Sequence, residues 1–107
     1  MKKTYVISDN IINSLGFSTG EVFHALKAGI SGIRICNDPV LTPVAIPLSR
    51  VDDHLLLTKF SEIAPGKEQD YTRMEKMFIL SIHDAIRSAG RDFTGKDSLL
   101  IISTTKG

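Results

Sequence analysis

Apolar positions follow a helical spacing most clearly over residues 73–89. Met74, Met77, Phe78, Ile82, Ala85, Ile86 and Ala89 recur at intervals of three and four, which places them on one face of an α-helix. Thr72 and Glu75 have the spacing of a capping box, and Gly90 stands where a helix commonly stops. Burying the large side chains of such a face is worth roughly 1.5–3 kcal/mol each, so the pattern predicts a helix lying against a sheet. A shorter pattern, Val22, Phe23, Leu26 and Ile30, follows the capping box of Ser18 and Glu21 and is closed by Gly29. It predicts a helix over 19–28. A brief helix over 53–62, starting after Asp52 or Asp53, is the third.

Two apolar stretches lack that period. Residues 4–8 (TYVIS) are β-branched and aromatic, and residues 99–102 (LLII) run without a polar break. Both read as short buried strands, the second as a strand covered on both faces in a parallel sheet. Asp9 and Asn10, and later Pro65 and Gly66, read as turns. Between residues 32 and 47 the helical period disappears. Pro39, Pro43 and Pro47 exclude a helix and a central strand, leaving short edge strands or a hairpin around 40–50. A right-handed crossover would make strands 4–8 and 99–103 parallel neighbours, with helix 73–89 packed on them through Met77, Phe78, Ile82 and Ile86. The expected fold class is therefore α/β, with crossover helices 19–28 and 73–89, in a single partial domain spanning residues 1–107. Functional crevices in open parallel sheets lie at the carboxyl ends of strands. Residues 104–107 follow such an end directly, so the chain reads as a truncated or proteolytically released piece.

Composition narrows the function classes. Of 107 residues, 42% are hydrophobic and 23% charged, with a net charge of +1, which suits a globular chain. Beyond Lys2 and Lys3 there is no basic cluster, and aromatic residues are 7% of the chain. Neither the charged face nor the stacking platform of a nucleic-acid binder is present. Cys36 is the single cysteine, which excludes an internal disulfide framework and points to a reducing compartment. No apolar run approaches the roughly 20 residues that span a bilayer, and the N-terminal apolar stretch is too short for a signal peptide. The expectation is a cytoplasmic protein with neither a membrane nor a nucleic acid as partner.

Four segments together resemble the start of the β-ketoacyl-(acyl-carrier-protein) synthases. Residues 5–16, YVISDNIINSLG, resemble the family's V-I-T-G-x-G-x-x-S-P-L-G, with Asn10 where a glycine is usual and Ser14 in place of proline. At that glycine position Asn is the best substitute for left-handed backbone. Residues 18–33, STGEVFHALKAGISGI, are similar to S-x-x-E-x-[WF]-x-x-L-x-x-G-x-S-G-I, the most specific of the four. Arg73 and Met74, with residues 85–90 (AIRSAG), resemble R-M-D followed by A-x-x-x-A-G. Residues 99–107, LLIISTTKG, resemble V-G-V-I-x-G-T-G-x-G, with Ser103 and Thr105 departing from its glycines. Residues 34–70 match least, and the departures suggest a divergent subfamily.

The resemblance implies a thiolase-like fold and a decarboxylative Claisen condensation in fatty-acid or polyketide-like synthesis. In that chemistry a cysteine thiolate at a helix N-terminus takes an acyl group from acyl carrier protein, and two histidines assist malonyl decarboxylation. The positions of that cysteine and those histidines fall after residue 107. The chain alone is thus expected to be inactive, with acyl carrier protein a partner of the longer parent and no cofactor. No catalytic, cofactor-binding or metal-binding residue is assigned. Cys36, in the loop-like GIRICNDP, reads as a small structural thiol. His24 falls on the polar side of the first helix, His54 in a charged loop, and His83 beside the apolar face of the long helix. A constellation of Cys36 with a histidine and an aspartate stays open, as does a metal site from Asp52, Asp53 and His54, although adjacent side chains seldom converge on one ion. No glycine loop cradles a phosphate, because Gly29 and Gly32 follow a helix and do not open one.

Three functional readings compete: a piece of an active condensing enzyme, a piece of a non-catalytic partner resembling the chain-length factors, and an independent small α/β interaction domain. Under the first two, apolar surface normally covered by the parent would be open, so self-association into a homo-oligomer is expected.

Overall fold

Each helix begins at a side chain that accepts a hydrogen bond from the first turn. The computed structural model describes residues 2–91 and 93–105. Helix α1 (Thr19–Lys27) starts at Ser18, whose hydroxyl accepts from the Glu21 N–H. Glu21 does not return the bond to Ser18. Its carboxylate accepts from the Phe17 N–H at 2.7 Å, bracing the preceding loop. Ala28 caps the other end and Gly29 follows at φ 72°, in left-handed backbone. Helix α2 (Asp53–Ile63) starts at Asp52, whose Oδ1 accepts from the Leu55 N–H at 2.8 Å. Helix α3 (Arg73–Ala89) has the complete reciprocal box of Thr72 and Glu75 and closes on left-handed Gly90. The three helices match the spacing expected of them to within a residue at each end.

The strands do not match. Strand β1 (Ile33–Cys36) pairs antiparallel with β2 (Ile46–Ser49), Ile33 opposite Ser49 and Cys36 opposite Ile46, in a two-stranded sheet. This is the hairpin the prolines allow. Pro47 is tolerated inside β2 because a two-stranded sheet consists of edge strands. Residues 4–8 and 99–103 form no strand, so there is no parallel pair among the described residues and the fold is not thiolase-like. Val6 is 86% exposed, Leu99 87% and Ile101 81%. Their apolar, β-branched composition favours a strand only where a ladder partner and a covering layer exist, and here neither is supplied. The hairpin closes a short loop, whereas joining 4–8 to 99–103 means closing nearly the whole chain at a larger entropic cost. Asn10 is not left-handed either, since no described residue other than glycine has positive φ. The turn falls later than expected, at Asn13–Gly16, where the two backbones exchange hydrogen bonds at 3.0 and 3.3 Å.

The core consequently lies between helices. Phe17, Val51, Leu56, Phe60 and Leu80 form it, with Ile12, Ile63, Met77 and Ile79 packed around. Helix α3 packs on α2, not on a sheet. The face it turns inward is also rotated from the expected one: Leu80 is buried, Phe78 and Ile82 are half-buried, and Ile86 is 47% exposed. Polar contacts set that rotation. Arg73 Nε lies 2.5 Å from Asp53 Oδ1, and Arg73 Nη2 donates to the Val51 carbonyl at 2.8 Å. Two turns along, Asn10 Nδ2 donates to Ser81 Oγ at 3.0 Å and to the Phe17 carbonyl at 3.2 Å. The Cα radius of gyration is 16.3 Å, above the roughly 13 Å of a compact domain of about 100 residues, as expected when both terminal segments lie outside the core.

Phe60 is wholly buried and meets Tyr71 edge-on at 5.7 Å. Phe60→Ala is expected to remove about 3–5 kcal/mol of stability in urea unfolding, whereas Ile86→Ala is expected to cost no more than about 1 kcal/mol. Equal losses would contradict the rotated face of α3.

Candidate functional site

Alternation along the hairpin divides its side chains between two faces. Arg34 and Cys36 share one face with Ile46 and Leu48, and Arg50, two residues beyond Leu48, continues it. Because Arg34 stands opposite Leu48, Arg50 is its diagonal neighbour on that face. The turn at Asn13–Gly16 closes the end of the hairpin. Ser14 Oγ lies 2.6 Å from Ser49 Oγ, and Ser14 packs so closely on Gly32 that a Cβ there would collide with the hydroxyl. Ser14, Gly32, Arg34, Ile35, Cys36, Leu48 and Arg50 thereby line one groove. A second depression shares Ser14, Arg34 and Arg50 with it and runs on to Val51, Asp52, Asp53 and Leu55 at the start of α2.

Charge in this groove is unevenly satisfied. Asp52 is committed to the Leu55 N–H as the α2 cap. Asp53 faces two guanidinium groups, Arg73 at 2.5 Å and Arg50 at 3.5 Å. Arg34 has no hydrogen bond or ion pair through its side chain among the described residues. Outside the groove, the Ser61 hydroxyl and then the backbone N–H groups of Glu68 and Gly66 hold the Glu68 carboxyl below the usual carboxylate range, which serves the turn at Pro65 and Gly66.

None of the alternative constellations is assembled. Cys36 is half-buried on the hairpin and touches no histidine among the described residues. His24 is exposed in the last turn of α1. His54 lies in the first turn of α2, exposed, and not in a loop. His83, on α3, has only Asp84 Oδ1 within ion-pair range of its Nδ1, at 3.7 Å. Asp52 and Asp53 point to different partners, and no group of three metal-ligating side chains converges among the described residues. Lys106 and Gly107, the end of the fourth family-like segment, lie outside the described residues.

The groove itself is not marked by any motif in the sequence. The available signal is weaker, two arginines at same-face positions of a hairpin whose register becomes known only once the strands pair. Among the described residues no helix is long and apolar enough to cross a membrane. No protein-family model matches the chain, and no curated protein or solved structure matches it.

Proposed function

We propose that the chain serves as the N-terminal portion of a β-ketoacyl-(acyl-carrier-protein) synthase, contributing surface and not reacting groups to a decarboxylative condensation. The observation that carries this reading is the order of the four family-like segments, with residues 18–33 the most specific. It rests on sequence and makes no claim on sheet topology. Two of the segments fall on well-capped elements: residues 18–33 open with the Ser18 cap of α1, and Arg73 and Met74 begin α3, which residues 85–90 close. The resemblance places the nucleophile and the histidines after residue 107. The same segments suit a second reading, a portion of a non-catalytic partner subunit.

The reading frame that encodes the chain separates these. Under the first reading it continues to a cysteine at a strand-to-helix junction and to two later histidines, and the purified chain alone condenses no acyl- and malonyl-carrier substrates. A continuing frame without that cysteine selects the non-catalytic partner. A frame closing near residue 107, or activity lost on Cys36→Ala, overturns both.

Self-association belongs to the same proposal. Tyr5, Val6, Leu99, Leu100 and Ile101 are all exposed large hydrophobic residues, and removing such surface from water gains roughly 25 cal/mol per Å². Exposed apolar side chains of this size favour association where they come together. Sedimentation at micromolar concentration is expected to show a dimer or larger species that binds a hydrophobic dye. A monodisperse monomer without dye binding would contradict it.

A further inference from the structure

The groove beside the hairpin has a composition that the condensing-enzyme reading does not use. Two guanidinium groups stand on one face of the hairpin, diagonal to each other, and both line the same depression as the Ser14 hydroxyl. Arg50 is held by a long contact of 3.5 Å to an aspartate whose shorter bond, 2.5 Å, is to Arg73. Arg34 has no acceptor among the described residues. An arginine fork binds a planar or tetrahedral oxyanion through two parallel hydrogen bonds. Leu48 and the half-buried Cys36, on the same face as the arginines, give the adjoining wall an apolar character.

From these observations we infer that the groove binds a small amphiphilic oxyanion, its phosphate or carboxylate head on Arg34 and Arg50 and its apolar tail along Leu48 and Cys36. Asp52 and Asp53 keep their negative charges, but both are already engaged. The first is spent on the α2 cap and the second lies between Arg50 and Arg73. Arg34 supplies the attraction, and Arg50 fixes where along the hairpin the head rests. Ser14, which also lines the groove, is already bonded to Ser49 through its hydroxyl. The inference is independent of the proposed membership in a synthase.

The test is titration of the whole chain with hexyl phosphate, inorganic phosphate and hexanol, followed by calorimetry and by amide chemical shifts. Hexyl phosphate is expected to bind saturably, inorganic phosphate more weakly, and hexanol without saturation. Shifts should centre on residues 14, 34–36 and 48–50. Arg34→Gln is expected to weaken hexyl phosphate by about tenfold or more, the scale of a lost charge-assisted contact. Arg91→Gln removes an exposed arginine outside the groove lining and is expected to leave binding unchanged. Far-UV circular dichroism checks that both variants keep the helices. The inference is overturned if hexyl phosphate does not saturate. It is also overturned if hexanol binds as tightly, if Arg91→Gln weakens binding as much as Arg34→Gln, or if the shifts centre elsewhere.

Discussion

The contact of α2 with α3 through Phe60, Leu56 and Leu80 holds the rest of the molecule in place. Phe17 and Val51 complete the cluster from the loop before α1 and from the segment before α2, so residues far apart in sequence converge on one small core. Polar bonds then fix its orientation. Arg73 ties α3 to the first turn of α2 and to the Val51 carbonyl, and Asn10 ties the N-terminal loop to Ser81. Removing a buried aromatic from a core this small leaves a cavity that few neighbours can collapse into. The hairpin depends on the core indirectly, because β2 runs directly through Arg50 and Val51 into α2.

The helices were legible in the sequence because their signals are local. Ser18, Asp52 and Thr72 each accept a hydrogen bond from an N–H three residues on, and Gly29 and Gly90 supply left-handed backbone just after a helix. Such interactions need only the neighbouring turn. The sheet was not legible, because the same apolar composition serves a buried strand and an uncovered segment. Residues 99–102 carry no polar alternation to distinguish one from the other, and only a partner strand decides. The inward face of α3 was misjudged for a related reason. Periodicity identified the apolar stripe through Met77, Phe78, Ile82 and Ile86; Met77 does pack on the core, but Leu80, outside the stripe, is the buried residue and Ile86 is exposed. Polar contacts at the first residue and near the middle of α3 accompany this docking.

The same logic separates what the sequence could and could not indicate about function. Cys36 and the three histidines are chemically suggestive residue types, yet the fold scatters them over the hairpin, α1, α2 and α3. Arg34 and Arg50, without a motif, are brought onto one face by the pairing of Arg34 with Leu48. Register, which no single residue reveals, is what makes a groove of them.

The central claim is that stability resides in the α2–α3 core and that residues 4–8 and 99–103 lie outside it. Amide hydrogen exchange on the dilute, monomeric chain tests this most directly. The account predicts strong protection at Leu56, Phe60 and Leu80, with residues 5–7 and 99–102 exchanging at rates near those of an unstructured peptide. Protection at residues 99–102 equal to that at Leu80 would show a paired strand in the monomer and contradict it.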